Sequence, residues 1–346
     1  MAETSANLME HVLPENVPLR QFVLTVPFEL RTRLAYDKKL LGSVCRIFVD
    51  SVLGFYRRRM RDRGVRDGRS GAVSVVQRTS ADLRLNPHIH TVALDGVFSP
   101  SNDGVPIFHA LPDLDNRDVA DLLQVVRVRV LRMLARARVI EEDAAETLCL
   151  LDDGFAEREP ALFALAHSAV TGLHPAGPEH RERIPIPIEL RGSLGVTHTS
   201  ALCAAELGFS LHAATTARAD DAGGREALVR YILRPAIAQE RVQLLPNDLV
   251  RIHLRRPFRD GTFAVDLDPL SLLCRLAASV PPPFFNVVRY AGVLAPASKL
   301  RPLVVPPLPP QHPTDADAAA SPCSDCSASD DAPSTIAPDI GPGGSS

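Results

Sequence analysis

The chain has no tryptophan, and only 5% of its 346 residues are aromatic. It has no apolar run long enough to cross a bilayer as a helix, which argues against a helical membrane protein. Its first twenty residues, MAETSANLMEHVLPENVPLR, lack the basic-then-apolar order of a secretory leader, so a cytoplasmic location is expected. Cysteine is sparse and scattered. Cys45, Cys149, Cys203, Cys274, Cys323 and Cys326 have no spacing that suggests a disulfide framework. Cys323 and Cys326 form a C-x-x-C without a second pair, and read as two thiols in a flexible segment. Residues 302–346 contain no Glu, Lys or Arg, but six Asp and ten of the thirty prolines. Such a composition cannot bury enough apolar surface to offset the entropy of ordering, so a disordered tail is expected over 307–346.

What remains is ordinary globular material, 45% hydrophobic and 23% charged. The formal net charge of −3 conceals an asymmetry, because removing the six tail aspartates leaves residues 1–301 at +3. Seven arginines, Arg57, Arg58, Arg59, Arg61, Arg63, Arg66 and Arg69, fall within thirteen residues. A patch this dense suits contact with a phosphate backbone. It equally suits a solvated helix end, where cations meet the negative pole of the helix.

Hydrophobic periodicity sets the expected elements. Residues 21–26 read as a strand. Residues 28–60 read as one long helix with Leu41, Val44, Phe48, Val52 and Phe55 on its apolar face. Gly64, Gly68 and Gly71 mark the turn beyond it. Residues 72–77 and 88–95 read as strands of an antiparallel hairpin, and 116–138 as a helix capped by Asp115 or Asn116. Residues 140–206 read as an insertion. A strand over 208–216 and a helix over 223–233, stopped before Pro235, follow. The expected fold is α+β, a ferredoxin-like βαββαβ core within residues 1–240, then a β-rich extension over 241–306 with a hairpin and a short helix.

His88-Ile89-His90 is the feature that points to chemistry. On a strand, side chains at i and i+2 share a face, so both imidazoles can reach one cation while Ile89 packs into a core on the other side. Alone, a His-x-His is weak evidence for a metal site.

Several stretches in order strengthen it: QFVLTVPFELR, VLGFYRRRMRDRGVRDGRSGAVSVVQR, LNPHIHTVALDGVF, GFSLHA, VRYILRPAIAQERVQLL, FRDGTF and VRYAGVLAPASKLRP, together with the opening MAETSANLMEHVLP. Together they resemble the HUH rolling-circle transposases of bacterial insertion sequences, the two-tyrosine type named after insertion sequence ninety-one. The resemblance covers most of residues 1–302. It implies a DNA transposase that cleaves and rejoins single-stranded or hairpin DNA, the mobile element's ends, through a 5′-phosphotyrosine. His88 and His90 match the family's metal-binding motif, and Tyr231 in VRYILRP matches its nucleophile. The implied cofactor is a divalent cation, Mg or Mn, which would polarise the scissile phosphate. Gln77 is the candidate third ligand and His212 the runner-up. Arg230 and Arg234 flank Tyr231 and could hold phosphates, as could Arg57, Arg58, Arg59, Arg61 and Arg63. Tyr290 is the competing nucleophile, read as structural. Tyr56 borders the arginine patch, with base stacking or core packing both open, and Tyr36 lies on the same helix.

The chain departs from the family pattern in three places. Ala227 occupies the position of the second tyrosine. The usual N-terminal zinc-binding domain is not represented, and the cysteine-containing region past APASKLRP is replaced by low-complexity sequence. These departures leave open a truncated, catalytically inactive DNA-binding remnant. A metal-dependent hydrolase using Asp82 or Asp95 beside the histidines is a third reading.

Overall fold

A computed structural model describes residues 2–142, 148–176, 188–190, 195–235, 237–258 and 260–305. The expected tail and the C-x-x-C lie outside them. The elements run α1 (Ala2–His11), β1 (Leu19–Thr25), α2 (Leu30–Tyr36), α3 (Lys38–Arg61), β2 (Gly71–Thr79), β3 (Leu85–Leu94), β4 (Gly96–Ser99), β5 (Ile107–Ala110) and α4 (Asn116–Arg136). The insertion contributes β6 (Ile140–Glu142), β7 (Leu148–Leu150), α5 (Phe155–Arg158), α6 (Pro160–Thr171), β8 (Ile188–Glu189), β9 (Thr197–Ser200) and β10 (Cys203–Glu206). Then come β11 (Phe209–Ala217), α7 (Ala222–Leu233), β12 (Val242–Leu244), β13 (Val250–His253), β14 (Ala264–Leu267), α8 (Pro269–Ser279), β15 (Val288–Gly292) and α9 (Arg301–Val304).

One seven-stranded sheet organises the fold, in the order β15-β2-β3-β1-β11-β10-β9, with every neighbouring pair antiparallel. The alternation of β1 shows how it is covered. Phe22 and Leu24 enter a core shared with Val44, Phe48 and Val52 of α3 and Val119, Leu122 and Val126 of α4. On the other face Leu19, Val73 and Val92 pack with Leu8 of α1, Val12 just beyond it, and Leu228, Val229 and Ile232 of α7. The central strands are therefore buried on both sides, and β3 is almost continuously apolar or enclosed. Met1–Pro307 form one compact unit. Among the described residues, no helix is long and apolar enough to cross a membrane.

One expectation needs correction, and two elements were not foreseen. The helix expected over 28–60 is two helices. Asp37 leaves helical geometry at φ −89° and ψ 89°, and its carboxylate accepts hydrogen bonds from the Lys39 and Leu40 amides at 3.0 and 2.9 Å, starting α3 afresh. The expected insertion includes β9 and β10, which extend the sheet beyond β11. The N-terminal segment, for which no element was expected, is α1, packed on α7. Asp115 does cap α4, in a reciprocal capping box with Asp118. Gly64 does end the α3 turn, at φ +88°.

Candidate functional site

The register of the sheet sets the site. His88 lies opposite Gln77 of β2 and Thr25 of β1, and His90 opposite Val75 and Val23. Cross-strand partners share a face, so His88, His90 and Gln77 project together toward α7. Ile89 points the other way into the α3/α4 core, 1% exposed. The two imidazole rings stand 4.9 Å apart.

Each ring is oriented by its inner nitrogen. His88 Nδ1 is 2.7 Å from the Asn86 carbonyl. A carbonyl only accepts, so Nδ1 carries the proton and the Nε2 lone pair is free. His90 Nδ1 is 2.6 Å from the Gln21 side-chain amide. A half-turn of that amide exchanges donor and acceptor, which makes His90 equivalent to His88. His90 Nε2 is buried without a hydrogen-bond partner among the described residues. Burial, reinforced by His88 and by the Arg234 charge, lowers the His90 pKa to about 3. Burial also lowers that of His88, with Arg31 and Arg234 acting in the same direction. Both rings are therefore neutral near pH 7, as a cation ligand must be.

Tyr231 lies on the last turn of α7, its ring 5.6 Å from the His90 ring and edge-on to it. It is 43% exposed, so its hydroxyl can meet an incoming molecule. Pro235 pushes Arg234 into extended geometry at φ −58° and ψ 137°. The Arg234 guanidinium then sits over the Tyr231 ring, 4.5 Å from its centre. Gln77 donates through Nε2 to the Ile232 carbonyl at 3.0 Å, satisfying one of the orphan carbonyls at the end of α7. It thus ties the tyrosine helix to the histidine strands. A cavity of about 320 Å³ opens beside it, with Gln77, Ile232, Arg234 and Ser279 in its wall.

These residues fit a divalent cation in donor chemistry. Two neutral imidazoles and the Gln77 side chain share one face of the sheet, and among the described residues a buried ring nitrogen lacks a partner. No group of three or more His, Cys, Asp or Glu forms a metal cluster among the described residues. Any further ligands would have to be phosphate oxygens or water.

The other sequence candidates lie elsewhere. His212 is on the same row but two strands from His90, about 10 Å by strand spacing. Asp95 is buried in an ion pair with Arg20, and Asp82 is held by Ser80 and Arg84. Neither is available as a ligand, which removes the motivation for the hydrolase reading. Tyr56 is fully buried and donates to Asp95 at 2.8 Å, so core packing, not base stacking, is its role. Tyr36 stacks on Phe155 and donates to Asp153. Tyr290 is on the edge strand β15, opposite Val73 and away from the histidines. Arg230 pairs with Glu226 at 2.6 Å on the exposed side of α7.

The arginine patch is also remote. It closes α3 on the opposite face of the sheet and leads into β2 at Gly71, about 20 Å of strand from Gln77. Arg57, Arg58, Arg61 and Arg63 are exposed there, while Arg59 is paired with Asp118 at 3.2 Å. A second cavity of about 720 Å³ adjoins Arg57, Arg69 and Lys299.

Sequence reasoning missed two residues near the histidines. Gln21, 2% exposed, orients His90. Arg31, in the first turn of α2, places its charge close enough to act on His88. The signal for Gln21 was available: a polar residue inside a strand buried on both faces requires a partner.

No curated protein and no solved structure matches the chain. One family model does, that described as "Putative transposase", over residues 71–301. The matched span runs from β2 through β3, α4, β11 and α7 to β15, and so carries His88, His90, Gln77 and Tyr231. At two thirds of the sequence, this match makes the chain a member of that transposase family.

Proposed function

We propose that this transposase nicks and rejoins single-stranded DNA, with the Tyr231 oxygen as nucleophile and His88, His90 and Gln77 as the holders of a divalent cation. On this reading, β2-β3-β1-β11 with α3 and α4 is the ferredoxin-like HUH core, and α7 carries the nucleophile on the opposite face. The observation that supports it best is the half-exposed tyrosine edge-on to a buried, neutral histidine whose outer nitrogen has no partner.

A bound Mg or Mn ion would withdraw charge from the scissile phosphate and make phosphorus more electrophilic. The protein's own groups do the rest. Tyr231 Oη forms a bond to phosphorus, the bond from phosphorus to the 3′ oxygen breaks, and the phenolic proton passes to water. The 3′ oxygen leaves as a hydroxyl after taking up a proton, and the 5′ end stays on the protein. Arg234, over the ring, favours the developing phenolate and offers donors to phosphate oxygens. Reversal by an incoming 3′-hydroxyl rejoins the strand without ATP.

Ala227, one turn before Tyr231 and exposed, favours a second reading. This helix offers a single hydroxyl, so strand transfer between two tyrosines cannot run from it, and a DNA-binding remnant becomes the alternative. Incubation with end-labelled single strands and Mn²⁺, followed by denaturing electrophoresis, separates the two. A covalent adduct retained in Tyr290→Phe and lost in Tyr231→Phe is expected. Binding without any adduct would identify the remnant, and loss in Tyr290→Phe alone would move the nucleophile to β15.

A further inference from the structure

Arginines in this protein are usually matched when they are taken partly out of water. Arg20 has Asp95, Arg33 has Asp153, Arg59 has Asp118 and Arg127 has Glu206. Those without a carboxylate use backbone carbonyls: Arg78 bonds those of Ala35 and Ala278, and Arg225 that of Pro14. Two half-buried arginines do neither. Among the described residues, Arg31 and Arg234 have no ion pair and no side-chain hydrogen bond; each only overlies an aromatic ring. Arg31 lies 5.3 Å from the Phe28 ring centre and Arg234 4.5 Å from that of Tyr231. The Arg31 Nε is buried and unpartnered.

Both arginines flank the histidine pair. Arg31 follows Thr25, the β1 partner of His88, by six residues and lies on α2, which packs on β3, while Arg234 overlies the Tyr231 ring that meets His90 edge-on. Arg31 therefore belongs to the His88 end of the site and Arg234 to the Tyr231 end. Glu29 is the acidic group that faces Arg31, without reaching ion-pair distance. Burial, the larger effect, holds the Arg31 pKa below the usual guanidinium value. A desolvated, unmatched cation costs free energy until an anion arrives. Two of them beside a neutral metal-type site select an anion with several oxygens.

We propose that Arg31 and Arg234 form a phosphate clamp, gripping the phosphodiester that Tyr231 attacks from the His88 end and the tyrosine end. The proposal rests on the transposase reading above for the identity of the phosphate. The clamp, not the α3 patch, then supplies the contacts that position the strand. Guanidinium forks suit this work because two donors on one plane match two phosphate oxygens.

The test uses the full chain and a pool of random-sequence single-stranded oligonucleotides. Binding is measured by fluorescence anisotropy without metal, at several salt concentrations, and adduct formation is measured separately with Mn²⁺. Arg31→Gln and Arg234→Gln should each weaken binding by about tenfold or more, the scale of a charged hydrogen bond. Each should also flatten the plot of log K against log salt by about 0.7. Arg31→Lys should restore the slope but not the full affinity, because the fork is lost. Arg46→Gln, on exposed α3 surface, should change neither. The melting temperature of Arg31→Gln should not fall, whereas a purely structural arginine would destabilise on removal. An adduct in the wild type with unchanged binding in both glutamine variants would overturn the clamp and leave the transposase reading standing. Arginine-dependent binding with no adduct would keep the clamp and overturn the nicking reading.

Discussion

Two polar clusters grow from adjacent residues of β1, and they are built in opposite ways. Arg20 reaches Asp95 through Nε and Nη2 at 3.0–3.1 Å, donates through Nη1 to the Ala213 carbonyl, and shares Asp95 with the Tyr56 hydroxyl. Every charge there is answered inside the protein. Gln21 faces the other side and orients His90, whose outer nitrogen is buried and unanswered, beside the free nitrogen of His88 and two unmatched arginines. The first cluster is closed and locks β1, the end of β3 and α3 together. The second is open, with no further partner for these groups among the described residues. Polar burial alone does not mark a site; polar burial left unsatisfied does.

Breaking the closed cluster should have the largest effect on the fold. Asp95→Ala leaves Arg20 charged and unpaired in the core, and should cost about 3–5 kcal/mol. Urea unfolding measures this; a loss below about 1 kcal/mol would mean that solvent reaches Arg20 and that the cluster is not closed.

The open cluster should behave in reverse. His90→Gln should abolish the metal-dependent adduct with only a modest loss of stability at pH 7, as judged by adduct yield and melting temperature in parallel. An adduct at wild-type yield would dismiss His90 as a ligand.

Acidification sharpens the same contrast. His90 has a folded pKa of about 3 against an ordinary 6.5, so the unfolded chain binds the extra proton first. Its contribution to stability is complete above about pH 6.5 and falls as pH drops toward 3. By pH 5 the loss attributable to His90 should be about 2 kcal/mol. Unfolding curves at pH 7 and pH 5 should converge between the wild type and His90→Gln. Equal pH slopes in the two proteins would place the acid-sensitive groups elsewhere.

The smallest effect is expected far from both clusters. Neutralising Arg57, Arg58 and Arg59 together should weaken single-strand binding less than Arg234→Gln alone, because those side chains lie about 20 Å of strand away on the other face. They still contribute long-range attraction, which salt removes. A larger loss in the triple variant would make the α3 end the principal DNA surface.

Much of the core was legible in sequence because it depends on local periodicity. The 3–4 spacing of Val119, Leu122, Leu123 and Val126 suffices for α4, and the β-branched run before the histidines suffices for β2. The same-face geometry of His88 and His90 needs nothing beyond the strand period of two. The break at Asp37 escaped because the apolar face continues across it, and only the capping carboxylate reveals the interruption. Asp95, before Gly96, had the local signature of a turn, and its buried role depends on Arg20, seventy-five positions away.

Sequence by itself determined the central strands, the helices α4 and α7, the paired imidazoles and the family resemblance, because each rests on residues close together in the chain. Which polar side chains are matched and which are left open was decided only by the tertiary structure. Gln21, Gln77, Arg31, Arg234 and Tyr231 come from β1, β2, α2 and the end of α7 with the residue that follows it, and strand register and helix docking bring them to the histidines. The same docking leaves the densest arginine run on the opposite face. Charge density along a chain is a local property, whereas an unanswered charge depends on everything that folds around it.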